Sequence, residues 1–457
     1  MTGNNTPLVS VLVPYYNGRR YIREAIFSIL NQTYPNIEII VVDDASPNHD
    51  ESDYIRKFAV EMGINLLVHS ENKGIGPTLA DAFEVTCGEF ITGLSQDDLY
   101  KPEKIEKQVR YLEENNLDAV YAVGDILQQT TGRLYQRDTT KTSQFIRSGK
   151  AAHFLKLQNL YGISLQGLLA KRSVFEKDII PIWRDFLLDD WPVHIRLFEK
   201  YKVGFMEEPL WTGRSHETNT SRHIWKWFGP QIEVAARMAP MDLKAEAVGG
   251  RIGSMARRML KQNDNTHAII RLALGTLMLT ESPEQHKKAF RVLDKLTPRD
   301  KNHIIKTKCQ RLKESLNGLS SPSVQSFCTK TITWDNLGKE IAAVTAAGDP
   351  INRIGEIGKI FIRLAKECLS EGTNGQTELA VRTALAGIIM VEAGEDENSG
   401  TKILSSCASG GIRQLISRKI KLMKSQSGFN LKSVFLLRSL FLLVTCLPIL
   451  LFLSLGI

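Results

Sequence analysis

The chain has little cysteine for its length, and what it has is dispersed. The six cysteines among 457 residues, Cys87, Cys309, Cys328, Cys368, Cys407 and Cys446, never form a close pair. That spacing excludes a disulfide framework and a structural zinc site, and leaves thiols of a reducing compartment. The start, MTGNNTPLVSVLVPYYNG, has no basic residues ahead of its apolar run, so it does not read as a secretory leader. The first 230 residues are therefore expected to stay in the cytoplasm. Also missing are the glycines of a dinucleotide fold: Pro14 and Tyr15 stand where that fingerprint would begin. No Walker A motif occurs, and Gly74-Ile75-Gly76 is no more than a loop signal. No zinc-finger spacing and no basic helix leading into heptads is present, which argues against nucleic acid as a partner.

What is present is ample core material. Apolar residues make up 43% and charged residues 24%, a globular composition, and the length calls for two or three units. The net charge of +8 is partly local. Residues 411–432 carry six Lys or Arg and no Asp or Glu, and the last 19 residues, 439–457, carry no charge at all. Reading back to Val434, interrupted by Arg438, gives a stretch long enough to cross a bilayer, which takes about 20 apolar residues. The flanking cations favour holding its N-terminal side in the cytoplasm. A C-terminal membrane anchor over 431–457 is therefore expected. A monotopic anchor and a greasy helix buried in a homo-oligomer are the alternatives.

The first 230 residues alternate strand and helix patterns. Apolar and β-branched runs at 8–13, 37–42, 65–68, 89–92 and 117–123 predict buried strands, and helical periodicity predicts helices at 19–30, 51–61, 76–85 and 102–114. The rhythm implies a mostly parallel sheet covered by helices. Further on, the pattern predicts a helix at 143–157, a strand at 163–170, a helix at 190–200 and a short strand at 203–206. From 231 to 430 it is helical, with helices expected near 235–260, 266–279, 284–293, 332–346, 354–369 and 377–393, a linker at 318–326 and no chemical motif. This region reads as an accessory domain.

Chemistry is carried by acidic residues at strand ends. In a parallel sheet, ligands bind beyond the carboxyl ends of the strands. Asp43-Asp44 follow the strand 37–42, and Asp97-Asp98 follow 89–92 after a short loop, so both pairs face one crevice. Carboxylates repel a phosphorylated ligand unless a divalent cation lies between them, and Mg2+ or Mn2+ takes one or two carboxylates plus phosphate oxygens and water. Such an ion also stabilises charge on a leaving diphosphate. A carboxylate at Asp43 or Asp44 can instead accept hydrogen bonds from a base or ribose, or simply cap a helix. Asp189-Asp190 stand at a helix start, where N-capping is the plain reading and general-base catalysis the functional one. Arg214 and His216 lie in WTGRSHETNTS, where both can meet a diphosphate and His216 can join a metal shell.

These pieces resemble the family-2 glycosyltransferases, which have the GT-A fold. The segments VSVLVPYYNGRRYIREAIFSILNQTYPNIEIIVVDDASPN, ENKGIGPTLADAFEVTCGEFITGLSQDDLYKPEKI, ISLQGLLAKRSVF, LLDDWPVHIRLFEKY and PLWTGRSHETNTS carry the resemblance, in family order, over residues 8–221. It implies an inverting transferase that takes a sugar from a nucleotide diphosphate-sugar, a UDP-sugar being favoured, to an acceptor hydroxyl. It implies that Pro14 and Tyr15 begin the donor-base pocket. It implies that Asp44 contacts the base or ribose with help from Asp43, and that Asp97 of Ser95-Gln96-Asp97 is a metal ligand supported by Asp98. Asp190 corresponds to the catalytic base, and His216 lies in the later loop that closes on the diphosphate, with Mn2+ or Mg2+ as the metal. Two departures stand out: Ser95 replaces an acid, and Leu79-Ala80 occupy positions where many relatives carry Arg and Asn. A cytoplasm-facing enzyme with a membrane tail suits a lipid-linked or surface-polysaccharide acceptor. Protein and simple glycolipid acceptors, and an inactive fold serving as a binding module, are the competing readings.

Overall fold

The computed structural model describes residues 6–157, 163–317, 332–346, 348–370, 374–391, 395–407 and 410–426. The chain divides into two compact units, Met1–Ala247 and Val248–Ile457. The first unit runs past residue 230 because the helix Phe228–Met238 packs on the helices Ala151–Leu157 and Trp191–Lys200.

The first unit is built on one nine-stranded sheet. Its strands are β1 (Val9–Tyr15), β2 (Ile37–Asp43), β3 (Asn65–Val68), β4 (Phe90–Gly93), β5 (Leu99–Tyr100), β6 (Ala119–Gln128), β7 (Arg133–Gln136), β8 (Leu168–Lys171) and β9 (Val203–Ser215). They lie in the order β3-β2-β1-β4-β8-β6-β9-β5, with β7 beside β6. The sheet is mixed, which corrects the expectation of a mostly parallel one. β1–β2, β1–β4, β2–β3 and β6–β9 are parallel, while β4–β8, β6–β8, β5–β9 and β6–β7 are antiparallel. The parallel half is the part with regular strand–helix alternation, since parallel neighbours need a crossover and antiparallel ones do not.

Alternation along β1 sets the two faces. Val9, Val11, Val13 and Tyr15 point to a core shared with α1 (Arg19–Leu30), α2 (His49–Met62) and α4 (Lys104–Glu114), through Ile22, Ile26, Phe58 and Val109. Leu12, Ile40 and Val42 point the other way, onto Leu79 and Phe83 of α3 (Ile75–Glu84) and Val193 and Leu197 of the helix Trp191–Lys200. Burying each such side chain contributes about 1.5–3 kcal/mol, so this two-sided burial fixes the register. α2 starts at Asn48, whose side chain accepts from Asp50 N, and ends at Gly63 in the left-handed conformation.

Several expected elements break at residues with a physical reason. The helix expected at 143–157 is two, Thr140–Arg147 and Ala151–Leu157, parted at Gly149 with φ +69°. The strand expected at 163–170 is short: Leu165–Gly167 form a 3-10 turn before β8, and 158–162 lie outside the described residues. The strand expected at 203–206 runs on to Ser215, with irregular register against Ala122–Gly124. The helix expected at 235–260 is interrupted around Pro240, which cannot donate to a helical ladder.

The second unit is helical among the described residues, as its periodicity implies. Thr266–Leu279 is almost wholly buried, and the helices Pro350–Ser370 and Asn374–Met390 approach backbone to backbone where Gly358 faces Gly387. Lys419 Nζ donates to Leu277 O (2.8 Å) and Thr280 O (2.6 Å), satisfying carbonyls left open at the end of Thr266–Leu279. The linker at 318–326 and the hydrophobic stretch at 431–457 lie outside the described residues. Among the described residues, no helix is long and apolar enough to cross a membrane, and no disulfide joins the described cysteines.

Candidate active site

β1, β2 and β4 run parallel, with Tyr15 opposite Asp43 and Leu12 opposite Gly93. Their carboxyl ends therefore open on one side, as the acidic pairs require. Asp43 is fully buried: Oδ1 accepts from Ser46 N (3.0 Å) and Oδ2 from Ser52 Oγ (2.9 Å). It ties the turn after β2 to α2. Asp44 holds the loop 69–74 instead. Its Oδ1 accepts from Lys73 N (2.8 Å) and lies 2.9 Å from His69 Nδ1, and its Oδ2 accepts from Gly74 N (2.9 Å). Gly74 has φ +84° and ψ 166°, a conformation that essentially only glycine adopts.

Pro14 is half-buried and pairs with Val42. Tyr15 lies in the core, and its hydroxyl donates to Glu51 Oε2 (2.5 Å). Burial, then Glu51, pushes the phenol well above its ordinary range. It is Tyr16 that is exposed, and its backbone N donates to Gln96 Oε1 (2.8 Å) while its carbonyl accepts from Gln96 Nε2 (3.0 Å). Gln96 thus joins the loop after β1 to the loop that carries Asp97. Gln166 Nε2 holds the same loop from the other side by donating to Ser95 Oγ (2.6 Å).

The Asp97 loop is met by the far end of β9. β5 pairs with β9 so that Leu99 faces Thr212 and Tyr100 faces Trp211. That pairing carries Arg214 and His216 to the acidic pair. Asp98 is buried, and its Oδ1 accepts from Arg214 N (2.9 Å). Burial, then the charge of Asp97, raises its carboxyl well above the usual carboxylate range. Asp98 therefore fastens β9, and Asp97 is the carboxylate that meets His216. Asp97 Oδ2 lies 2.8 Å from His216 Nε2 and 3.3 Å from Asn219 Nδ2. The imidazole is oriented by Thr218 Oγ1, 2.9 Å from Nδ1, and by stacking on Tyr21 at 4.7 Å and 29°. Such outer contacts fix ring orientation and tautomer at metal sites. The Arg214 guanidinium is buried against Tyr21 (5.5 Å to the ring centre) and ion-paired with Glu24, and its Nε has no hydrogen-bond partner among the described residues.

The Asp97–His216 pair fits a divalent ion. Adjacent ligands of an octahedral ion with bonds of about 2.1 Å lie about 3 Å apart, close to the 2.8 Å between Oδ2 and Nε2. Among the described residues no set of three His, Cys, Asp or Glu side chains gathers at one point. An ion held there would take its remaining ligands from outside these side chains, as Mg2+ does when it keeps phosphate oxygens and water.

Asp190 begins the helix Trp191–Lys200, and its Oδ1 accepts from Trp191 N (2.5 Å). Beside it, burial and then the Asp190 charge raise the Asp189 carboxyl to about 7. One turn on, His194 is buried with Nδ1 2.7 Å from Tyr121 Oη, and burial lowers the imidazole to about 4. The hydrogen bonds described for Asp190 stay on its own helix, and none runs to the Asp97 loop.

Residues 10–178 match the family model described as Glycosyl transferase family 2. This segment belongs to glycosyl transferase family 2. Among curated relatives, an uncharacterized glycosyltransferase of Rickettsia typhi is 41% identical over 225 residues, 47% of this chain and 66% of its own length. A glycosyltransferase named for teichuronic acid biosynthesis, TuaG of Bacillus subtilis, is 34% identical over 113 residues, 25% of this chain and 45% of its own length. The chain spans less than two thirds of the length of these curated relatives. S. aureus TarS 1–349, solved with UDP, matches at TM-score 0.43 and 14% identity over 63% of this chain and 82% of that one.

The family segment ends at 178, so Asp190, Arg214 and His216 stand beyond it. Sequence reasoning passed over Gln96, Tyr21, Asn219 and His69. Gln96 lies inside the acidic motif, and Asn219 follows His216 by three residues across a turn. Tyr21 and His69 carry no motif signal, and only the fold brings them to the site.

Proposed function

We propose that the first unit is a GT-A-type inverting glycosyltransferase that moves a sugar from a nucleotide diphosphate-sugar, a UDP-sugar in preference, to an acceptor hydroxyl. The observation that carries this reading is the meeting of Asp97 and His216, 2.8 Å apart though 119 residues separate them in sequence, beside the parallel strand ends. Asp97 and His216 would hold Mn2+ or Mg2+, which supplies positive charge to a departing diphosphate. Asp98 keeps β9 in place so that His216 stays against Asp97, and Arg214 adds a buried cation on the same strand. Asp44 serves the nucleoside. Asp190 accepts the proton from the acceptor hydroxyl as its oxygen attacks the anomeric carbon, and the bond to the diphosphate breaks in the same displacement.

The acceptor is proposed to be a lipid-linked or surface-polysaccharide precursor. Membership in family 2 and the similarity to a relative named for teichuronic acid biosynthesis support this. The uncharged stretch at 439–457 behind a basic segment supports attachment to the cytoplasmic face of a membrane. The helical second unit is proposed as an accessory domain for docking, acceptor binding or self-association.

The test is release of nucleoside diphosphate from UDP-, GDP- and dTDP-sugars by purified protein with Mn2+, alongside Asp190→Ala. Turnover of one donor, abolished in the variant and giving inverted anomeric configuration, is the expected result. A product that keeps the donor's configuration would overturn the single-displacement mechanism. Absence of turnover and binding with every donor would leave a non-catalytic binding module.

A further inference from the structure

Asp44 is held by a second acid through one histidine. His69 continues β3, with its backbone N donating to Asp43 O (2.9 Å), and its side chain is only 7% exposed. The ring reaches two carboxylates: Nδ1 is 2.9 Å from Asp44 Oδ1, and Nε2 is 3.2 Å from Asp81 Oδ2 on α3. Carboxylates only accept, so both contacts are hydrogen bonds when each ring nitrogen carries a proton. Asp81 is anchored in turn by Lys73 Nζ at 2.8 Å and faced by Arg184 at 3.8 Å, while Arg184 also pairs with Glu84 at 2.9 Å. Burial raises the Asp81 carboxyl, but Lys73, His69 and Arg184 outweigh it and hold the group below its ordinary value. The charged groups around His69 are thus Asp44 from the end of β2, Asp81 from α3, Lys73 from the loop and Arg184 from the helix Ile180–Asp185.

This arrangement decides what Asp44 offers a ligand. A carboxylate oxygen has two lone pairs. Oδ1 of Asp44 spends both, on His69 and on Lys73 N, whereas Oδ2 spends one on Gly74 N. One acceptor position remains, on Oδ2. We propose that His69 is a positioning residue: clamped between Asp44 and Asp81, it locks the Asp44 carboxylate so that a single Oδ2 lone pair faces the nucleoside of the donor. The inference rests on the nucleotide-sugar reading above. His69 touches no substrate itself and acts through Asp44. Asp81 belongs to the same device, since it holds the far side of the ring.

The test uses the full-length protein and UDP with Mn2+ in calorimetry, with GDP as a second probe. His69→Phe keeps the ring shape and removes both contacts. It should weaken UDP binding about tenfold or more, the scale of a charge-assisted hydrogen bond. His69→Gln, which keeps a donor for Asp44, should recover part of that loss, and Asp81→Asn should fall between. With a donor sugar, KM should follow binding while kcat at saturation changes less than about threefold. A purely structural fault would lower kcat and the folded fraction together. UDP binding within twofold of wild type in His69→Phe overturns the proposal. Should wild type bind neither UDP nor GDP, the nucleotide-sugar reading falls and takes the assigned ligand with it. The clamp is then read from backbone amide exchange at Lys73 and Gly74, whose N–H groups donate to Asp44: faster exchange in His69→Phe supports it, and unchanged exchange overturns it.

Discussion

Gly18 precedes α1 with φ −105°, a backbone conformation open to any L residue, so alanine there would meet no backbone strain. Its side chain would meet Gln96. A Cβ would stand 2.2 Å from Gln96 Oε1, 2.4 Å from Cδ and 2.9 Å from Nε2, too close for the amide to stay. Expelling the amide breaks both bonds to the Tyr16 backbone, at 2.8 and 3.0 Å. Two such bonds contribute about 1–3 kcal/mol, and the exposure of Tyr16 to water puts the loss at the lower end. Against this, replacing glycine by alanine stabilises by about 0.4–1 kcal/mol through the unfolded chain. Gly18→Ala should therefore be destabilising in wild type by up to about 1 kcal/mol. In a Gln96→Ala background, where nothing stands in the way, it should become neutral or stabilising. Urea unfolding of the four proteins completes the cycle. Manganese activation measured beside it should need about five to ten times more ion in Gly18→Ala, because Gln96 no longer holds the Asp97 loop. An equal cost of Gly18→Ala in both backgrounds would refute the role assigned to Gln96.

Gly167→Ala should be harsher, because the new Cβ would lie 2.2 Å from the backbone oxygen of Ala122 and 2.9 Å from Trp211 Nε1, and Ala122 O is itself the acceptor for that indole. A loss of about 2–4 kcal/mol is expected in urea unfolding, and a change under about 0.5 kcal/mol would be inconsistent with this packing. The Asp189 carboxyl, raised to about 7 from an ordinary 3.8, keeps its proton in the folded state over a range where the unfolded chain has lost it. Its contribution to stability therefore falls as pH rises from about 4 to about 7 and is level above that. Asp189→Asn should gain on wild type across that window by roughly 1–3 kcal/mol after allowance for solvent, read as the difference in melting temperature at pH 4 and pH 8; a flat difference would contradict the assignment.

The parallel half of the first unit was legible because its strands are buried on both faces and its helices have clear periodicity. α1 and β3 fall on their expected residues. The antiparallel half was harder to read. β5 is two residues long, all four residues of β7 are on the exposed side, and β9 contains Pro209 and an irregular register, so none gives a sustained alternating signal. The acidic strand ends were readable from Asp43-Asp44 and Asp97-Asp98, but not how their work divides. Asp43 and Asp98 are consumed by Ser46, Ser52 and Arg214 N, and Asp44 and Asp97 are left to meet histidines. Tyr15 turns to the core because it shares the β1 face of Val9, Val11 and Val13, which residue identity alone does not say. His69 and Tyr21 join the site through tertiary contacts that leave no spacing signature.

The central claim is that Asp97 and His216 hold the ion through which a nucleotide diphosphate-sugar is bound. The most direct test is equilibrium binding of a UDP-sugar to full-length protein, with Mn2+ and with a chelator, in wild type, Asp97→Ala and Asp97→Asn. Binding that needs Mn2+ and is lost in both variants is the predicted result. Binding of equal strength with and without Mn2+, unchanged by either substitution, would contradict it.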